Sequence, residues 1–80
     1  MKKRDFTIII EGLLKIDDTR KLHLSVCIDD YYKFYNGTCL SYENKNYVEF
    51  YDIKLGNIIV PYSQIINIEP MIKKWDLIIV

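Results

Sequence analysis

The stretch Ile58-Ile59-Val60-Pro61-Tyr62-Ser63-Gln64-Ile65-Ile66-Asn67-Ile68-Glu69-Pro70 decides the reading of this chain's fold. Two β-branched apolar runs, each suited to a strand, are separated by a proline and a short polar step. Proline cannot donate to a sheet ladder, so it ends a central strand or sits at an edge or bulge. The pattern predicts the closing strand pair of a small β-structure, in which one strand stops, bends sharply and re-enters the sheet.

Outward from that segment, alternation of period two dominates. In residues 7–16 the even positions Ile8, Ile10, Gly12, Leu14 and Ile16 line one face while Glu11 and Lys15 fall on the other, which predicts a strand bent at Gly12. Asp17-Asp18-Thr19-Arg20 reads as a turn. In residues 21–29 Leu22, Leu24, Val26 and Ile28 alternate with Lys21, His23, Ser25, Cys27 and Asp29, so a second strand pairs with the first as a hairpin. The aromatic run Tyr31-Tyr32-Lys33-Phe34-Tyr35 leads to Asn36-Gly37, and Asn-Gly supplies the positive φ values of a type I′ turn, so residues 38–42 are expected to run back along it. Glu43-Asn44-Lys45-Asn46 is a polar turn. A strand over residues 47–55 follows, with Val48 and Phe50 on one parity and Ile53 and Leu55 on the other, as at a bulge or corner. Gly56-Asn57 turns the chain into the opening segment. Residues 71–74 fit a helical turn or a loop, and Trp75-Asp76-Leu77-Ile78-Ile79-Val80 reads as a terminal strand.

The expectation is therefore an all-β fold: a small, strongly bent antiparallel barrel or curved meander of six to seven strands. It forms a single domain over residues 1–80, with residues 1–5, which include Lys2-Lys3-Arg4, as a flexible basic tail. At 80 residues, one apolar core supplies only about 3–5 kcal/mol of net stability, which favours self-association. Half the residues are hydrophobic and 28% are charged, a globular composition. Frequent Ile, Lys, Asn and Tyr with no Ala point to an AT-rich source, as in many low-GC bacteria and their phages.

Eleven basic and eleven acidic residues cancel, which argues against a partner gripped through its phosphates. Cys27 and Cys39 fit no zinc or Cys-x-x-Cys spacing, and the N-terminus shows no export signal. Free thiols in the cytoplasm are expected. No apolar run is long enough to span a bilayer, so no membrane partner is expected. His23 and Cys27 share a strand face but are about 13 Å apart on a flat strand, too far for a nucleophile and its base. Asp17-Asp18 and Asp29-Asp30 are turn residues before they are cation ligands. No catalytic residue, metal site or cofactor is assigned.

The tyrosines are too many for so small a core. Tyr31, Tyr32, Tyr35, Tyr42, Tyr47, Tyr51 and Tyr62, with Lys33, form the candidate interaction surface, because exposed Tyr offers rigid, amphipathic contact area. The same rings, with Lys33 and Lys45 near in sequence, would also suit base stacking.

Asn36-Gly37-Thr38-Cys39-Leu40, together with the opening segment and its closing Pro70, resembles the Sm-like fold, above all bacterial RNA chaperones of the Hfq type. The resemblance covers residues 36–70. It implies a small barrel, an SH3-like architecture in the broad sense, ring assembly and RNA as a partner. The departures fall at functional positions: Tyr42 stands at a family glycine, and the segment around Val60-Pro61-Tyr62-Ser63 stands where the family has an RNA-contacting Tyr-Lys-His. The first 30 residues read as a hairpin, where that fold has a helix. A similar proline-interrupted pair of apolar runs also occurs in bacterial pleckstrin-like domains.

The function expected is a non-enzymatic interaction module that self-associates and binds a protein partner, of the kind phages and plasmids encode as inhibitors of host systems. An Sm-like RNA-binding oligomer is the alternative, and an enzyme has the least support.

Overall fold

The computed structural model describes residues 1–16 and 18–71. An N-terminal helix, α1 (Lys3–Ile16), precedes five strands: β1 (Lys21–Ile28), β2 (Tyr31–Ser41), β3 (Tyr47–Asp52), β4 (Gly56–Pro61) and β5 (Ile65–Pro70). A 3-10 turn, Tyr62–Gln64, separates β4 from β5. All neighbouring strands are antiparallel, in the order β4-β3-β2-β1-β5. The sheet is not closed into a barrel, since β4 and β5 are its two edges. The described chain is mostly β, as expected, but it holds five strands and a helix rather than six or seven strands.

The helix is the largest departure from the sequence pattern. Residues 7–16 show alternation, yet Phe6, Ile10 and Leu13 also recur at helical spacing, and it is this set that meets the core. Ile8 and Ile10, assigned to one strand face, part company: Ile10 is fully buried and Ile8 is 63% exposed. An apolar-rich run satisfies both periods at once, and the open face of a five-stranded sheet supplies the burial that selects the helix. Asp5 in the first turn and Lys15 in the last complement the helix dipole. The expected tail belongs to this element. Lys3 begins the helix and its Nζ donates to the Glu43 carbonyl at 2.8 Å, while the Met1 amine donates to the carbonyls of Tyr62 and Ile65 at 3.0 and 2.8 Å.

The second correction concerns turns. The β1–β2 hairpin turns at Asp29-Asp30, whose φ values are 48° and 70°, with Ile28 opposite Tyr31. Asp is among the few side chains that tolerate the left-handed region, so this pair takes the place expected for Asn36-Gly37. Asn36 and Gly37 instead lie inside β2, which pairs with β1 over residues 31–38 and with β3 over residues 37–41. Gly37 is required there because a Cβ would sit 1.7 Å from the Tyr51 carbonyl oxygen on β3. The glycine permits a close strand approach, not a turn.

The opening segment behaves as read: β4 ends at Pro61, the chain turns through Tyr62–Gln64, and β5 starts at Ile65. This link also reports curvature. In a flat sheet, strands at opposite edges of five would lie about 19 Å apart, at roughly 4.8 Å per step. Three residues in a 3-10 turn advance only about 6 Å, so the sheet must curl to bring its edges together at this corner. The core lies inside the curl: Phe6 and Ile10 from α1 against Leu22, Leu24, Val26, Cys39, Val48, Phe50, Val60, Tyr62, Ile65 and Ile68. Residues 72–80, including the expected terminal strand, lie outside the described residues, as does Asp17.

Candidate interaction surface

Seven tyrosines fall into two populations once strand parity and the helix are in place. Tyr62 is buried, 5.2 Å from the Phe6 ring between centroids, and its hydroxyl donates to the Tyr42 carbonyl at 3.1 Å. Burial pushes its pKa up, with a smaller push from Cys39. Tyr42 is half-buried, 6.3 Å from Phe6, with the Arg20 guanidinium 5.8 Å from its ring centroid. Tyr62 therefore belongs to the core rather than to a contact surface, and Tyr42 is half committed to it. Tyr35 also packs against the core, opposite Leu24. Tyr47 is half-buried, and Tyr51 is exposed on β3 opposite Thr38.

Tyr31, Tyr32 and Lys33 remain together and exposed at the tip of the β1–β2 hairpin. The structure adds Phe34, which is 60% exposed beside Tyr31 at 74% and Tyr32 at 67%. Its parity with Tyr32 was visible in the sequence, but a phenylalanine reads first as core. The hairpin projects because its neighbours stop short: β5 pairs with β1 only as far as Val26, and β3 pairs with β2 only from Gly37 onward. Four consecutive large side chains thus sit on a two-stranded ribbon with no described third strand beside them.

Polar contacts fix the base of this ribbon. His23 Nδ1 meets Asn36 Oδ1 at 2.5 Å across the β1–β2 pair, so Nδ1 is the donor, and its ring stacks on Phe34 with centroids 5.6 Å apart. His23 is committed to Asn36 and Phe34. On the neighbouring strand, Asp52 ends β3 with its carboxylate turned back under the chain: Oδ1 accepts the Asn36 N–H at 3.1 Å, and Oδ2 accepts those of Lys54 and Leu55, each at 2.9 Å. Burial pushes the Asp52 carboxyl up, but the three N–H groups and the Lys54 charge together outweigh it and hold its pKa below the ordinary value. This explains the parity switch noted after residue 51. Ile53 and Leu55 are exposed residues of the β3–β4 turn that Asp52 caps, not strand residues. A groove of about 410 Å³ runs along the hairpin beside this cap, lined by Tyr32, Lys33, Phe34, Tyr35, Asn36, Asp52, Lys54 and Leu55. Lys54 is the second cation lining this groove, and Lys45 is not among its lining residues.

Other chemistry is sparse. Cys39 is 1% exposed, and burial pushes its thiol up to about 11 against a smaller lowering by the Arg20 charge. Cys27 is free and half-buried. Among the described residues no three His, Cys, Asp or Glu side chains gather as a metal site, and no helix is long and apolar enough to cross a membrane. Compared with family models, curated proteins and solved structures, the chain matches none.

Proposed function

We propose that this chain is a non-enzymatic, self-associating module of the Sm-like kind, whose copies join through their sheet edges and present the aromatic hairpin to a protein partner. The observation that carries this reading is the pair of bare edges. β4 (Gly56–Pro61) has no charged residue and β5 (Ile65–Pro70) only Glu69, while Ile59 and Ile66 are 61% and 52% exposed. Edge strands of monomers are ordinarily guarded by lysines, interior prolines or bulges; β5 has a bulge at Ile66 and its Ile65 carbonyl accepts from the Met1 amine, but no charged side chain guards β4 and only Glu69 stands on β5. Joining β4 of one copy to β5 of the next is a head-to-tail contact, which builds a ring when the rotation closes. The N-terminal helix and the short turn between the last two strands are the features that support the Sm-like part of this reading.

The RNA-binding oligomer is kept as a second reading because Tyr32 and Phe34, beside Lys33 and Lys54, are suited to base stacking. Zero net charge and the absence of basic residues around Pro61-Tyr62-Ser63 favour the protein partner.

Light scattering on the eluting protein tests self-association. Ile59→Lys blocks one edge and Ile66→Lys the other, so each variant alone is expected to be monomeric and their mixture to form a one-to-one dimer. A wild-type monomer sinks the proposal. Titration with single-stranded RNA at two salt concentrations tests the second reading, which requires binding that weakens steeply with salt.

A further inference from the structure

We infer that the open edge of β2 at the hairpin tip receives an extended, acidic peptide segment of the protein partner as an added β-strand. The inference rests on the protein-partner half of the functional reading and names what that partner presents. Along β2, β1 occupies one side over residues 31–38, whereas β3 begins only at Gly37. Asn36 shows which groups face the uncovered side: its carbonyl accepts the Ile53 N–H at 2.9 Å and its N–H donates to Asp52. Alternate residues of a strand direct both N–H and C=O to the same side. Phe34 and Tyr32 therefore point their backbone donors and acceptors the same way as Asn36, toward the groove, where no described strand pairs with them.

That edge continues the line of β3. A polypeptide laid against it would extend the sheet past the Asp52 cap, exchanging backbone hydrogen bonds with Tyr32 and Phe34 and placing alternate side chains in the groove. Repeating donors and acceptors match a peptide strand, while phosphates offer the two carbonyls no donor. The free charge in the groove lining is positive, the exposed Asp29 and Asp30 standing beyond it at the turn. Lys33 and Lys54 are exposed, whereas the lining acid, Asp52, is 4% exposed and its oxygens already hold three N–H groups. Acidic side chains beside apolar ones, the latter against Leu55 and Tyr35, complement this lining.

The probe is a displayed library of random nine-residue peptides, selected against the wild-type protein, with the recovered peptides titrated while the Tyr32 and Phe34 amides are followed by NMR and hydrogen exchange. Recovered peptides are expected to carry Asp or Glu, to slow exchange at both amides, and to lose at least tenfold in affinity against a Lys33→Glu, Lys54→Glu protein. Phe34→Pro removes an edge N–H that the β1 ladder does not use and is expected to cost at least tenfold more than Phe34→Ser, with the β1–β2 amide shifts checking that the hairpin is kept. Methylating alternate peptide nitrogens makes the same test with the protein unchanged. The inference is overturned by failure to recover any peptide, by peptides whose shifts map to β4 or β5, or by a single-stranded RNA that binds this edge more tightly. Exchange protection of both amides in the free protein also overturns it, assigning the edge to the chain itself if independent of concentration and to a second copy if not. Light scattering keeps the two readings apart: a monomer that takes peptide here refutes self-association alone, and an oligomer that takes none refutes this inference alone.

Discussion

Replacing Asp52 by Ala removes one carboxylate and strands three backbone donors at once. Hydrogen bonds to a charged acceptor contribute about 1.5–3 kcal/mol each, but the bonds to Asn36, Lys54 and Leu55 share one group and do not add fully. Lys54 and Leu55 are exposed, so their N–H groups regain water when the carboxylate is lost. Asn36 is half-buried, between β1 and the Asp52 cap, so its N–H regains less. Allowing the full value once and about 1 kcal/mol or less for each turn amide gives a loss of about 3 kcal/mol, a large part of the stability of a domain this size. In urea, with a slope of about 1 kcal/mol per molar, the midpoint falls by about 3 M at fixed protein concentration. Asp52→Asn keeps an acceptor without the charge and should lose about half as much. The carboxyl's pKa lies below its ordinary value in the fold, so its contribution is full above the ordinary carboxylate range and is lost as pH falls through the depressed folded value. Wild-type stability should therefore drop below about pH 4, and the Ala variant should lack that share of the drop. A midpoint shift under about 0.5 M for Asp52→Ala would refute the view that this cap holds the β3–β4 turn against β2.

Gly37→Ala places a methyl group inside the van der Waals radius of the Tyr51 carbonyl and should cost more than about 3 kcal/mol by urea unfolding, far beyond an ordinary strand Gly→Ala change. Phe6→Ala should cost about 3–5 kcal/mol, whereas Ile8→Ala two residues away should cost under about 0.5 kcal/mol; equal losses would mean that the strand reading of residues 7–16 was right after all. Iodoacetamide at pH 8 should alkylate Cys27 and leave Cys39 intact until the protein unfolds, as read by peptide mass, because Cys39 is inaccessible and its pKa is raised to about 11.

The strands were legible where one local signal acted alone. Lys21–Ile28 alternates cleanly and forms β1, and the proline and polar step after Val60 break the chain where they should. Two elements misled for the same reason, that a local pattern admits two structures. The run around Ile8, Ile9 and Ile10 satisfies both periods, and Asn36-Gly37 suits both a type I′ turn and a tight strand crossing. Tyrosine count marked the chain as contact-rich without telling Tyr62, under α1, from Tyr32, on the open ribbon.

The sequence by itself determined the strand-rich character, the bend after Pro61 and the aromatic run that became the hairpin tip, because period two, proline and turn residues act within a few bonds of themselves. Only the tertiary structure decided that residues 3–16 are a helix, that Gly37 admits β3 and that β2 outruns β3 to leave an edge. Each of these depends on what lies across the sheet: burial chooses between two allowed periods, a carbonyl on another strand forbids a Cβ, and the mismatch of strand lengths exists only once the strands are paired.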